Sequence, residues 1–174
     1  MKFIIHSHPR TQTFWASQVL TTFDSMCLHE PISKGMLEFR PVDDIKEAIE
    51  LIPEANVGFT ETTTTNMEWP GYREVVIFRP VEQVRESLRK IGLEAPDGYL
   101  EGAQEALERK ASERGVLVLN YPVEKEEDIV KLFQHCLGRK PTKSELRKAG
   151  AKIYLPRWQV DMLKNKVEEI AKCR

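Results

Sequence analysis

Five short apolar runs punctuate this chain: "KFIIHSH" from residue 2, "MCLHE" from 26, "NVGFTE" from 56, "REVVIFRP" from 73 and "VLVLNY" from 116. Most are separated by stretches in which apolar residues recur at helical spacing. That alternation is the signature of an α/β fold, a three-layer sandwich with a mainly parallel sheet of about five strands. Periodicity predicts a first helix from Thr13 to about Asp24, with Phe14, Trp15, Val19, Leu20 and Phe23 on its apolar side. "DDIKEAIELI" reads as a helix with acids near its start, where the helix dipole favours them. Val81, Val84, Leu88 and Ile91 line one face of another, and residues 96–114 predict a long, exposed helix stopped by Gly115. "VLVLNY" is continuously apolar, as a strand covered on both faces should be. "EEDIVKLFQHCLG" is a helix ending on glycine, and Thr142 to Glu145 has capping-box spacing. A last helix carries Val160, Leu163, Val167 and Ile170 on one side. Residues 62–73, "TTTTNMEWPGYR", read as an exposed loop, either a lid or an ordinary connection.

The length of 174 residues fits one domain spanning 1–174 with a real core. With 26 basic and 27 acidic side chains the net charge is −1, which gives no support to a broad nucleic-acid or anionic-membrane surface. No apolar run has the length of a membrane span, and no signal segment is seen ahead of the first strand. Cys27, Cys136 and Cys173 are an odd number without metal-like spacing. Reduced thiols in a cytoplasmic protein are expected.

In an open parallel sheet, ligands gather at the carboxyl ends of strands. Three such ends carry suggestive chemistry. "HPRTQTFW" enters a helix, where unpaired backbone N–H groups suit a phosphate, and Arg10, Thr11 and Thr13 add a cation and two hydroxyls. Arg79 ends the fourth strand and Ser87 lies two turns into the next helix, a guanidinium fork and a hydroxyl suited to a second phosphate. Glu30, with His29 beside it, stands at the mouth of the sheet as a candidate general base.

These motifs resemble those of sulfotransferases that use 3'-phosphoadenosine 5'-phosphosulfate (PAPS). "HPRTQTFW" is similar to the family's phosphosulfate loop. Arg79 and Ser87 keep the eight-residue spacing of its 3'-phosphate motif, "HEP" is similar to the acid–proline step of its carbohydrate-type branches, and "VLVLNY" with the helix ending in "CLG" resembles its closing strand and helix. The resemblance spans roughly residues 1–140 and implies a P-loop NTPase-like fold. It implies that Arg10, Thr11 and Thr13, with Gln12 and Phe14 completing the loop, hold the 5'-phosphosulfate, and that Arg79 and Ser87 hold the 3'-phosphate. Glu30 would take the proton of a hydroxyl or amine acceptor, a small molecule or carbohydrate, and Arg10 would face the charge building on the leaving phosphate. No metal is implied. The family's glycine is replaced here by Gln12, whose amide either donates to a phosphate oxygen or blocks the pocket. A left-handed backbone at a non-glycine residue costs roughly 1–2 kcal/mol.

Two other functional readings stand beside transfer. One is a degenerate member serving as a nucleotide-binding or protein-interaction module. The other is a kinase-like phosphotransferase, weakened because the Walker sequence G-x-x-x-x-G-K-[ST] is absent. Either nucleotide reading expects Arg10 and Arg79 to converge on one cleft, about a nucleotide apart. Bland roles compete at several positions. His6 and His8 read as structural rather than metal ligands, His135 and Trp158 as packing, Trp15 as core, Trp69 as loop. Arg79 has a rival role as an ion-pair partner of Glu61, and Arg85, Arg89 and Lys90 read as a solvated face.

Overall fold

The computed structural model describes residues 1–38, 40–150 and 157–173. Its strands are β1 (Lys2–Ser7), β2 (Ser25–His29), β3 (Asn56–Glu61), β4 (Tyr72–Phe78) and β5 (Leu117–Asn120). All neighbours pair in parallel, in the order β2-β3-β1-β4-β5. Side chains alternate across a strand, so the two faces receive alternate residues. Phe3, Ile5, Val75 and Ile77 face α1 (Thr13–Val19), α6 (Glu126–Leu137) and α7 (Lys143–Ala149) in one core. Ile4, Met26, Leu28, Val57 and Phe59 form the other, against α3 (Val42–Glu50) and α8 (Arg157–Cys173). The result is a three-layer α/β sandwich. Gly58 is required by close packing: a Cβ there would lie 2.3 Å from the Phe3 ring. Among the described residues no helix is long and apolar enough to cross a membrane.

Several elements depart from the sequence expectation. The first helix stops at Val19, and Phe23 is 87% exposed rather than packed. The cause is a polar knot just beyond it, where Thr21 Oγ1 donates to the Ser17 carbonyl (2.8 Å) and Ser25 Oγ donates to the Leu20 carbonyl (2.5 Å). Such side chains give the backbone an alternative to continuing the helix. A short helix, α2 (Pro31–Leu37), was not anticipated; Pro31 opens it, a position proline tolerates because no N–H is needed there. β5 is an edge strand, with Leu119 buried but Val118 42% exposed, so it is not covered on both faces. The long helix is the shorter α5 (Tyr99–Ala111), which buries Leu100, Ala106 and Leu107 and so is not wholly exposed. Ile91 falls beyond α4 (Val81–Arg89) and is exposed.

The loop of residues 62–73 is likewise not simply exposed. Parallel strands usually need a helical crossover, but β3 reaches β4 through residues 62–71 with no helix. Trp69 supplies the missing cover. It is 6% exposed, its ring edge-on to Phe59 (5.0 Å between centroids) and to Tyr72 (5.6 Å), with Lys46 Nζ 4.8 Å from it. Thr142 and Glu145 do form the capping box of α7. Cys27 and Cys136 are buried and Cys173 is exposed, all as free thiols. The placements of Trp158 and Val160 concern side chains outside the described residues.

Candidate functional site at the strand ends

From β1 the chain turns towards β2 on one side; from β4 it turns towards β5 on the other. Diverging connections open a crevice at the carboxyl ends of β1 and β4, where open α/β sheets bind ligands. The loop after β1 and Arg79 after β4 both border it.

The loop is built on two left-handed residues, Arg10 (φ 63°) and Gln12 (φ 52°), around the fully buried Thr11. Left-handed residues turn backbone N–H groups towards a common concavity, a geometry suited to anions. Gln12 caps α1 in the conformation a glycine would take. Its side-chain oxygen is committed elsewhere: Gln12 Oε1 accepts the Val123 backbone N–H at 2.8 Å, anchoring the loop to the β5–α6 connection.

Glu30 is the third left-handed residue (φ 50°), and these three are the non-glycine residues with positive φ among the described residues. All lie just beyond β1 and β2, and the two loops are joined by side chains through Thr13 and Glu30. Lys34 Nζ lies 2.8 Å from His29 Nδ1. An ammonium can only donate, so Nδ1 accepts and the ring proton sits on Nε2. His29 Nε2 then donates to Thr13 Oγ1 (3.1 Å), and Thr13 donates to Glu30 Oε1 (3.2 Å). Burial, and secondly the Lys34 charge, pull the imidazole down to about 4, so it is neutral at pH 7. Phe14 meets the His29 ring edge-on at 5.4 Å. The sequence reading named His29, Glu30, Thr13 and Phe14 as separate contributors; the fold makes them one chain of contacts. It passed over Lys34, because nothing local shows a lysine one turn into an unpredicted helix.

Arg79 stacks on Tyr121, with the guanidinium carbon 4.2 Å from the ring centroid, and donates through Nη1 to the Arg10 carbonyl. Arg10 and Arg79 thus border the same crevice, but the Arg79 head touches the loop backbone rather than standing a nucleotide's length away. Arg79 Nε is buried without a hydrogen-bond partner among the described residues. Its suggested partner Glu61 is occupied elsewhere, its carboxylate accepting the N–H groups of Ile32 (2.6 Å) and Ser33 (3.1 Å) and the Ser33 hydroxyl (2.5 Å). Glu61 therefore caps α2 across the sheet, and burial raises its carboxyl. Ser87 is half-buried on α4. Arg85 is less free than a solvated face implies, since it pairs with Glu101 of α5 at 2.5 Å. Tyr99, at the start of α5, is a residue sequence reasoning missed. Burial and then the charge of Glu30 raise its phenol, and further along α5 Gln104 meets His8 at the end of β1 (2.9 Å).

His6 of β1 and His8 just beyond it have structural partners. His6 Nε2 meets Glu74 Oε2 at 2.7 Å, and His8 Nε2 meets Gln104 Oε1 at 2.9 Å. His135 Nε2 reaches the Glu74 carbonyl at 3.0 Å, and the Trp15 indole donates to the Ala149 carbonyl. No protein-family model and no curated protein sequence matches this chain.

Proposed function

We propose that the chain is a sulfotransferase-like protein that binds PAPS at the β1/β4 crevice and transfers its sulfuryl group to a hydroxyl or amine. The observation that carries this reading is the gathering of Arg10, Gln12 and Glu30, all left-handed, at the carboxyl ends of β1 and β2, which flank β3 in the sheet. Each costs roughly 1–3 kcal/mol, and strain of that kind concentrates where a site requires it. Gln12 supports the reading in a second way, because its backbone takes the glycine conformation while its amide is turned aside. In the reaction the acceptor oxygen or nitrogen forms a bond to sulfur as the bond from sulfur to the phosphate oxygen breaks. Glu30 receives the acceptor's proton, and Arg10 offsets the charge left on the phosphate. Arg79 and Ser87 hold the 3'-phosphate once Arg79 leaves the Arg10 carbonyl. The P-loop-like character of the fold and a cytoplasmic setting for its free thiols belong to the same proposal.

A second reading is favoured by one specific contact. Arg79 is spent on the Arg10 carbonyl and the Tyr121 face. If that contact is permanent, the loop is a strut and the chain a binding module. Calorimetric titration with adenosine 3',5'-bisphosphate, beside ATP with magnesium, separates the readings. Transfer chemistry expects the bisphosphate to bind and ATP not to, with Arg79→Ala weakening the bisphosphate about 10- to 100-fold and adenosine 5'-phosphate little. Glu30→Gln should then abolish transfer with binding intact. Binding of ATP alone would move the protein to phosphoryl transfer, and binding of neither ligand would end both nucleotide readings.

A further inference from the structure

We propose that the apolar pocket between α2, α3 and α8 is a binding site for a small amphipathic anion, an alkyl or aryl carboxylate whose head group takes Lys34. The site is separate from the β1/β4 crevice and independent of the nucleotide reading. Its walls are Leu28, Ile45, Leu163 and Val167, and its polar end is His29 with Lys34. Gly35 lets α2 lie directly on α3, since a Cβ there would stand 2.2 Å from Ile45 Cδ1.

Charge chooses the class of ligand. The pocket is bordered by Lys34, Arg40 and Lys164 against the single acid Glu38. Arg40 is already met by Glu168 at 3.4 Å. Lys34 makes no ion pair among the described residues: its two bonds go to neutral acceptors, His29 Nδ1 (2.8 Å) and the His29 carbonyl (3.0 Å). An ammonium at the end of an apolar pocket, served only by neutral oxygen and nitrogen, gains most from a carboxylate. The walls between these charges are apolar, which favours a ligand with an apolar body behind its charged head. The chemistry is shared by fatty acids and aromatic acids, which differ only in the shape of the body.

The pocket has one physical link to the strand-end loop. His29 accepts from Lys34 on one side of its ring and donates to Thr13 on the other. A carboxylate that draws Lys34 away leaves Nδ1 free, and removes the nearby positive charge that disfavours a second ring proton. Occupancy of the pocket therefore alters the imidazole that holds Thr13.

The test is a titration of the isotopically labelled full chain with octanoate and, separately, 2-naphthoate, followed by NMR. Binding by either is expected to saturate at one equivalent, moving amides near Leu28, Lys34 and Val167 and raising the pH at which the His29 ring titrates. Saturation by octanoate alone would identify an alkyl body, by 2-naphthoate alone an aryl one. Lys34→Met should weaken binding about tenfold, the loss of one charge-assisted bond, and Lys34→Arg should keep most of it. Val167→Trp should fill the pocket and remove binding. Lys34 is exposed, so its variants decide the question even if Val167→Trp fails to fold. No saturation by either anion would overturn the proposal, as would unchanged affinity in Lys34→Met or equal binding of neutral octanamide.

Discussion

Gln12 shows how much one side chain can settle. A non-glycine residue in left-handed space costs roughly 1–2 kcal/mol, yet the same residue returns a hydrogen bond by accepting from Val123. Gln12→Ala keeps the strain and orphans the Val123 N–H, so a loss of about 1–2 kcal/mol is expected. Gln12→Gly also loses the bond but removes the strain, and should be more stable than the alanine variant by about 1 kcal/mol. Urea midpoints for the two variants and the parent measure this directly. An alanine variant as stable as the glycine one would mean the left-handed backbone carries no strain. The sequence left two fates for the Gln12 amide, a phosphate donor or a plug, and the fold supplies a third. That outcome was illegible because the partner lies 111 residues away and is a backbone group, which no side-chain pattern announces. Lys34 and Tyr99 were missed for a related reason, since each matters through the loop it faces rather than through its neighbours in sequence.

Among the elements, the strands were the most legible. Two-sided burial requires almost unbroken apolar runs, and those runs stand out against any background. Their limits show where the rule stops: β5 has the run but lies on the edge, because strand order is set by crossovers that composition does not encode. Helix ends were least legible where side chains tie down backbone locally, as beyond Val19. The junction of α6 and α7 illustrates the energetic side of such ties. Arg139 reaches both oxygens of Glu145 (2.8 and 2.9 Å) and Asp24 (2.9 Å), binding two helices to the turn before β2. These bonds hold the Glu145 carboxyl down at about 2. Between pH 4.5 and 2 the unfolded chain therefore binds more protons at Glu145 than the folded one. Its contribution, at most about 3 kcal/mol, is complete above pH 4.5 and is lost as pH falls towards 2. Arg139→Ala should cost about 2–3 kcal/mol at pH 7, and should flatten the decline in stability between pH 4.5 and 2. Denaturant midpoints at pH 7, 4.5 and 3 check both limbs. An acid limb as steep in the variant as in the parent would show that Arg139 does not govern Glu145.

At the scale of the whole molecule the packing is uneven. Two apolar clusters fill the faces of the sheet, while Val84, Leu88 and Leu100, with Val81 and Ala95, form a third that joins α4 to α5. The ties from this hairpin to the body include His8 with Gln104 (2.9 Å), Glu74 with Lys110 (3.1 Å) and Asn66 with Arg109 (3.0 Å). Polar contacts of this kind can be exchanged for water at little net cost, whereas the sheet faces cannot be exposed without losing their apolar burial. The hairpin is thus expected to open as a unit, at lower free energy than β1, β3 and β4, carrying Gln104 away from His8 at the end of β1. Hydrogen exchange under native conditions, with small additions of denaturant, resolves such partial opening from global unfolding. Amides of residues 81–111 should exchange together and ahead of the central strands, and Lys110→Met should speed them by removing a buried partner of Glu74. Adenosine 3',5'-bisphosphate should slow them if the crevice is its site, because a ligand under the hairpin must leave before the hairpin exchanges freely. Exchange of α5 in step with β1 and β4 at every denaturant concentration would instead make the hairpin part of one cooperative body, and entry to the crevice would then have to come from the exposed face of the Arg10 loop.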